Sequence, residues 1–230
     1  MRLRATALAV AVISALAFSP TPASAADTTS LAVPALGVSP DVDPHAPDLF
    51  EDTGSVLDRS KLTGADYSWK TDRGAAGLSA SSYQVWAACG IFTDNQKLVR
   101  AYKRKAMHTT SGAPGYVPAG TSNLRCGSEK WGYRHIVKNH LSQWEQNAAI
   151  ERKNWRDLAD FAINLSLSDP DKVTYRKAND TYCFSRQIVL INKRTGEVAA
   201  YKYPKVSIAS VSKNVITAYL SDRQCSDSGA

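Results

Sequence analysis

Past residue 25 the chain lacks any uninterrupted apolar run long enough to cross a bilayer. A spanning helix is not expected there. Cys-x-x-Cys spacing is missing too, although four cysteines are present. That argues against a structural zinc site, whose ligands usually include such close pairs. No acidic pair and no Asp/His cluster stands out, so the usual sequence sign of a two-metal nuclease is absent. Neither a metal nor a cofactor is expected. Histidine is scarce, with four in 230 residues, yet His135 and His140 share one stretch, WGYRHIVKNHLSQW.

What the sequence does contain begins with an export signal. Arg2 and Arg4 precede the apolar run ATALAVAVISALAF, and Ala23-Ser24-Ala25 forms a small-residue cleavage site. This is the pattern of a secretory signal peptide. Residues 1–25 are expected to be removed, leaving a secreted, soluble chain from Ala26. An even number of cysteines in an exported chain reads as disulfides. Cys89–Cys126 with Cys183–Cys225 is the favoured pairing, because it staples successive regions.

Hydrophobic content of 43% and charged content of 21% are those of a globular protein. The formal charge of +7 is uneven. Residues 120–230 hold 17 Lys and Arg against 11 Asp and Glu, whereas residues 26–119 hold 9 against 10. A basic C-terminal half suits an anionic partner such as nucleic acid, and serves solubility equally well.

Residues 26–60 contain VPALGVSPDVDPHAPDLFED, with prolines every few residues. Such a segment sustains neither helix nor central strand and reads as a pro-segment or linker. His45 lies within it. Residues 61–119 read as a helical and loop extension. SSYQVWAACGIF and DNQKLVRAYKRKAM are each expected to form a short helix, and TTSGAPGYVPAGTSN a loop. His108, at the edge of this region, reads as a surface histidine.

From residue 120 the pattern sharpens into a domain running to residue 230. Trp131, Ile136, Leu141 and Trp144 recur near helical spacing after Gly132. A second helix is expected after Asn154, with Leu158, Phe161, Ala162 and Leu165 as its apolar face and Pro170 as its stop. Strands are then predicted over 172–178 and 181–193, with a turn at Gly196. VAAYKYPKVSIAS is a third strand, with Pro204 pointing to an edge or bulge. Residues 215–220 are the last. Helices followed by an antiparallel meander make an α+β domain, its helices on one face of the sheet and the other face open to a ligand.

Four kinds of side chain in this domain bear on chemistry. His135 and His140 are imidazoles, a side-chain type suited to taking or giving a proton. Arg134, Lys138, Arg176, Lys205 and Lys213 can hold phosphate oxygens. Thr217 and Tyr219 stand two apart on a strand, so they share a face. Tyr133, Tyr175, Tyr182, Tyr201 and Tyr203 offer stacking surfaces for bases. Together they suit metal-free RNA cleavage, in which the 2′-hydroxyl attacks the adjacent phosphate and cations offset the added charge. His135 and His140 are five apart, which on a regular helix separates them by ~140°. One is therefore expected to be catalytic and the other peripheral or structural.

The Gly132–His140 stretch, with its G-x-R-H-I and trailing histidine, the tryptophan-bearing helix at Trp155, and VITAY at Val215–Tyr219 carry a resemblance. Over residues 120–222 the chain resembles the toxin domains of the barnase / EndoU / colicin / RelE-like ribonuclease superfamily. The resemblance implies helices against a curved antiparallel sheet, with an active site on the open face of the sheet. It implies metal-independent RNA cleavage, and candidate site residues His135 or His140, Thr217 and Tyr219 with a nearby cation. It also implies RNA, tRNA included, as substrate and an immunity protein as a possible partner. A glutamate base of the barnase type has no match, because neither Glu145 nor Glu197 lies in a suitable context. The competing expectations are an exported basic module that binds nucleic acid or an anionic cell-wall polymer without cleaving it, and an interaction domain whose sheet edge pairs with a protein.

Overall fold

The structure, a computed structural model, describes residues 66–72, 85–111 and 115–226. The expected leader, the 26–60 segment and His45 lie outside the described residues. In chain order the elements are β1 (Tyr67–Thr71), β2 (Leu98–Arg104), β3 (Met107–His108), β4 (Tyr116–Val117), β5 (Gly120–Arg125), α1 (Tyr133–Ala149), α2 (Trp155–Ser168), β6 (Lys172–Arg176), β7 (Thr181–Ser185), β8 (Ile188–Asn192), β9 (Val198–Ala209) and β10 (Val215–Ser221). The protein is α+β, with antiparallel sheets.

Both expected helices form. α1 starts at Gly132, which has φ of 80°. A Cβ there would sit 2.7 Å from the Arg125 carbonyl oxygen, so the close approach requires glycine. α2 is capped by Asn154, whose side chain accepts the Arg156 N–H at 2.9 Å. Its Leu158, Ala162, Ile163 and Leu165 are buried.

The main sheet is built around β9, whose twelve residues pair on both edges. β7 and β8 run along one edge and keep one register from Thr181 opposite Ala209 to Leu190 opposite Ala200, before a shift at Ile191. The strand expected over 181–193 is therefore interrupted only at Arg186–Gln187. Asp171 causes the break. Its carboxylate accepts the Gln187 N–H at 2.8 Å and the Arg186 guanidinium at 2.7 Å. β9 is central rather than an edge, and Pro204 lies beside this break, between the segment that pairs β8 and the segment that pairs β7. A missing N–H costs no ladder bond at that point. β6 flanks β7, and β1 flanks β8, so residues 67–71 join the sheet of the C-terminal half.

β10 pairs with the other edge of β9, and α1 covers its outer edge. The Gly132 N–H donates to the Ile216 carbonyl at 2.7 Å. The Trp144 indole N–H donates to the Ala218 carbonyl at 3.1 Å. Gln143 then bonds Leu220 twice, its amide donating to the carbonyl at 2.6 Å and accepting the N–H at 2.8 Å.

The two faces of the sheet differ, as alternation requires. Val173, Phe184, Val206, Ile208, Ala218 and Leu220 join the apolar core with α1 and α2. The other face carries Thr174, Cys183, Ser185, Lys205, Ser207, Thr217 and Tyr219. The C-terminal segment is tied to this polar face. Cys225 bonds Cys183, its N–H donates to Ser185 Oγ at 3.1 Å, and Thr174 Oγ donates to the Ser226 carbonyl.

The reading of 94–107 as a helix is corrected. Leu98–Arg104 is a strand paired with β5. A register shift between Leu98 and Arg100 breaks the alternation. Arg104 is buried, its guanidinium donating to Pro118 O at 3.1 Å and Ser122 Oγ at 2.7 Å. The described part of SSYQVWAACGIF, residues 85–92, is not helical either. The Cys89–Cys126 disulfide holds it instead. Both disulfides follow the expected pairing. Among the described residues no helix is long and apolar enough to cross a membrane.

Candidate functional site

The junction of α1 and β10 gathers five of the expected site residues. The Gln143–Leu220 pairing sets the helix against the strand, and one turn earlier His140 meets Tyr219. Their rings stack with centroids 5.0 Å apart and planes 20° from parallel. His135 approaches His140 edge-on at 5.7 Å. Lys205, the cross-strand partner of Tyr219, places its ammonium 5.9 Å from the tyrosine ring centre. Thr217 is two residues along the same face, opposite Ser207.

The five-residue spacing does not keep either histidine at the surface. Both are buried, at 1% exposure for His135 and 6% for His140. The angle between them is that of a helix, but the buried stripe of α1 is wide enough to include both. Ile136, His140 and Trp144 run along its middle, and His135 marks its border.

Two neighbours hold the His135 ring through Nδ1. Nδ1 lies 2.7 Å from the Glu129 carbonyl oxygen, which can only accept. The Asn139 side-chain amide nitrogen lies 2.9 Å from the same Nδ1. Asn139 reinforces the ring position, its amide donating to the His135 carbonyl at 3.2 Å. Thr217 Oγ is buried and has no hydrogen-bond partner among the described residues. A buried hydroxyl in that state is a donor waiting for an acceptor.

The other expected cations lie elsewhere. Arg134 clamps a loop, with Nη2 donating to the Gly90 and Thr93 carbonyls at 2.7 Å each and Nη1 to Asn95 and Gly127. Lys138 pairs with Glu129 at the surface. Lys213 sits by the turn before β10, bonded to the Ser210 carbonyl and 5.0 Å from the Tyr182 ring centre. Burial pulls its pKa below the ordinary lysine value, and the charge of Arg104 adds to that. Arg176 ends β6 opposite Thr181. His108 is exposed beside Tyr116, at 5.1 Å. Glu145 and Glu197 are both exposed.

Gln143, Asn139 and the Glu129 carbonyl were not read from the sequence as part of the site. Gln143 carried one signal, a polar side chain placed directly before the buried Trp144. A cavity of about 570 Å³, whose lining includes none of His135, His140, Thr217 and Tyr219, is lined by Trp86, Tyr133, Asn154, Arg156 and residues 87–90. Among the described residues no group of three or more His, Cys, Asp or Glu converges as metal ligands would.

Comparison with known proteins gives a partial likeness. The chain is 37% identical over 115 residues to an uncharacterized protein of Mycobacterium tuberculosis, found in two strains. The match covers 48% of this chain and 42% of those relatives' length. No protein-family model matches, and no solved structure does.

Proposed function

We propose that the chain is a secreted, metal-independent endoribonuclease of the barnase / EndoU / colicin / RelE-like kind, acting as a toxin. The leader sequence and two disulfides support export. The observation that carries the activity is the grouping of two imidazoles with Tyr219, Thr217 and Lys205 at one helix–strand junction.

In this reading one imidazole removes the proton from the RNA 2′-hydroxyl. The 2′-oxygen then bonds to phosphorus, and the bond from phosphorus to the 5′-oxygen breaks. The other imidazole gives that leaving oxygen its proton. The products are a 2′,3′-cyclic phosphate and a 5′-hydroxyl. Lys205 and the Thr217 hydroxyl face the charge that builds on the phosphate. The test is a cleavage assay on RNA in EDTA with analysis of product ends. Cyclic phosphate ends that disappear in the His135→Ala/His140→Ala variant support the site. Undiminished cleavage by that variant removes it.

Burial favours a second reading. Thr217 and Lys205 are each only 3% exposed, so an RNA phosphate reaches them only after the site opens. A protein whose site stays closed would bind nucleic acid or an anionic cell-wall polymer through its surface cations alone. Salt-sensitive RNA binding without any product would establish that reading.

A further inference from the structure

The turn from Gly90 to Thr93 is held firmly at its base and carries two large apolar residues at its tip. Thr93 N–H donates to the Gly90 carbonyl at 3.1 Å, and Gly90 N–H donates to Thr93 Oγ at 2.9 Å. Arg134 bonds the carbonyls of both residues from beneath. The Cys89–Cys126 disulfide anchors the preceding residue. Between these fixed points Ile91 is 90% exposed and Phe92 99% exposed.

This is an unusual use of apolar side chains. A fixed turn gains nothing from Ile-Phe at its tip in water, and both side chains are almost fully exposed. Two features around them identify what would. The backbone groups of Gly90 and Thr93 are already bonded within the protein, which lowers the cost of moving the turn out of water. The base of the turn is also basic. Lys97 bonds the Ala88 carbonyl at 2.9 Å, Arg125 bonds the Gln96 carbonyl, and Arg134 lies under the turn. Lys130 is exposed in the neighbouring turn of 128–131. Against these cations stand Asp94 and Glu129, the latter paired with Lys138. An apolar tip inside a cationic collar complements a surface that is anionic outside and hydrocarbon within.

We infer that the Ile91–Phe92 turn docks the protein onto anionic lipid bilayers, with the two side chains entering the interface and Lys97, Arg125 and Lys130 meeting the headgroups. This inference does not depend on the ribonuclease reading.

The experiment is flotation of the mature chain with vesicles of phosphatidylglycerol and phosphatidylcholine, and with phosphatidylcholine alone. Binding is expected to the anionic vesicles, weakening as salt rises. The Ile91→Ser/Phe92→Ser variant should lose about tenfold or more in partitioning, the scale expected for withdrawing two buried apolar side chains. Its thermal melt should match the wild type, because both side chains are almost fully exposed. Phe92→Leu, which keeps the tip apolar, should retain most of the binding. No binding by the wild type to anionic vesicles, or equal binding by the serine variant, overturns the inference.

Discussion

The side-chain amide of Gln143 bonds both the N–H and the carbonyl of Leu220, much as a neighbouring strand would. This pairing fixes the distance between α1 and β10, and with it the stack of His140 on Tyr219. Gln143→Leu should lose about 1–3 kcal/mol, since two backbone groups would be left without partners. Urea denaturation measures the loss. Gln143→Glu keeps the acceptor but not the donor, so it should fall between the two.

On the proposed ribonuclease reading, replacement of His135 and His140 tests the chemistry. Each single alanine variant should lose about 10²–10⁴ in RNA cleavage rate, the usual worth of a positioned acid or base. Thr217→Val, which keeps the shape and removes the hydroxyl, should slow cleavage without weakening the fold. Rates in EDTA together with circular dichroism separate the two effects.

Arg186 is fully buried and bonded to Asp72 and Asp171 at 2.7 Å each. These contacts tie β1 to the break between β7 and β8. Arg186→Ala should destabilise the protein by about 3–5 kcal/mol, because it strands carboxylates whose partner is gone. A chemical melt in which the variant keeps wild-type stability would contradict this.

The Cys183–Cys225 disulfide closes a loop of sequence separation 42. Its removal by paired serine substitution should cost about 4 kcal/mol, from the added freedom of the unfolded chain. Unfolding midpoints with and without reductant give the comparison.

Asp180 gives a pH dependence with a definite sign. A hydrogen bond from Ser210 holds its carboxyl below the usual aspartate value, with the Tyr175 hydroxyl and the charge of Lys213 helping. A lowered folded-state pKa stabilises the protein above about pH 4 and ceases to do so as pH falls through the folded-state value. Asp180→Asn should therefore be less stable than wild type at neutral pH. The gap should close on acidification, as melts across pH 2–7 would record.

Much of the C-terminal half was legible in the sequence. Asn154 and Pro170 bracket α2, Gly196 marks the turn of the hairpin, and the even cysteine count in an exported chain pointed to two disulfides. Other features depend on partners distant in sequence. β2 hides its alternation behind a bulge, and Arg104 reads as a helix-surface residue until Pro118 and Ser122 come to meet it. The interruption after Ser185 needs Asp171. The convergence of His135 and His140 needs the breadth of the α1–β10 contact, which helical angles alone do not convey. Arg134 has the right chemistry for phosphate, but four acceptors of the 90–95 loop and Gly127 already surround it.

The covering of the outer edge of β10 has a consequence for self-association. Sheets grow into fibrils when an exposed rim recruits a foreign strand. Here the carbonyls of Ile216, Ala218 and Leu220 already receive donors from Gly132, Trp144 and Gln143. Growth from that rim would first require α1 to detach, so loss of the helix contact would open a route to aggregation that the folded protein keeps shut.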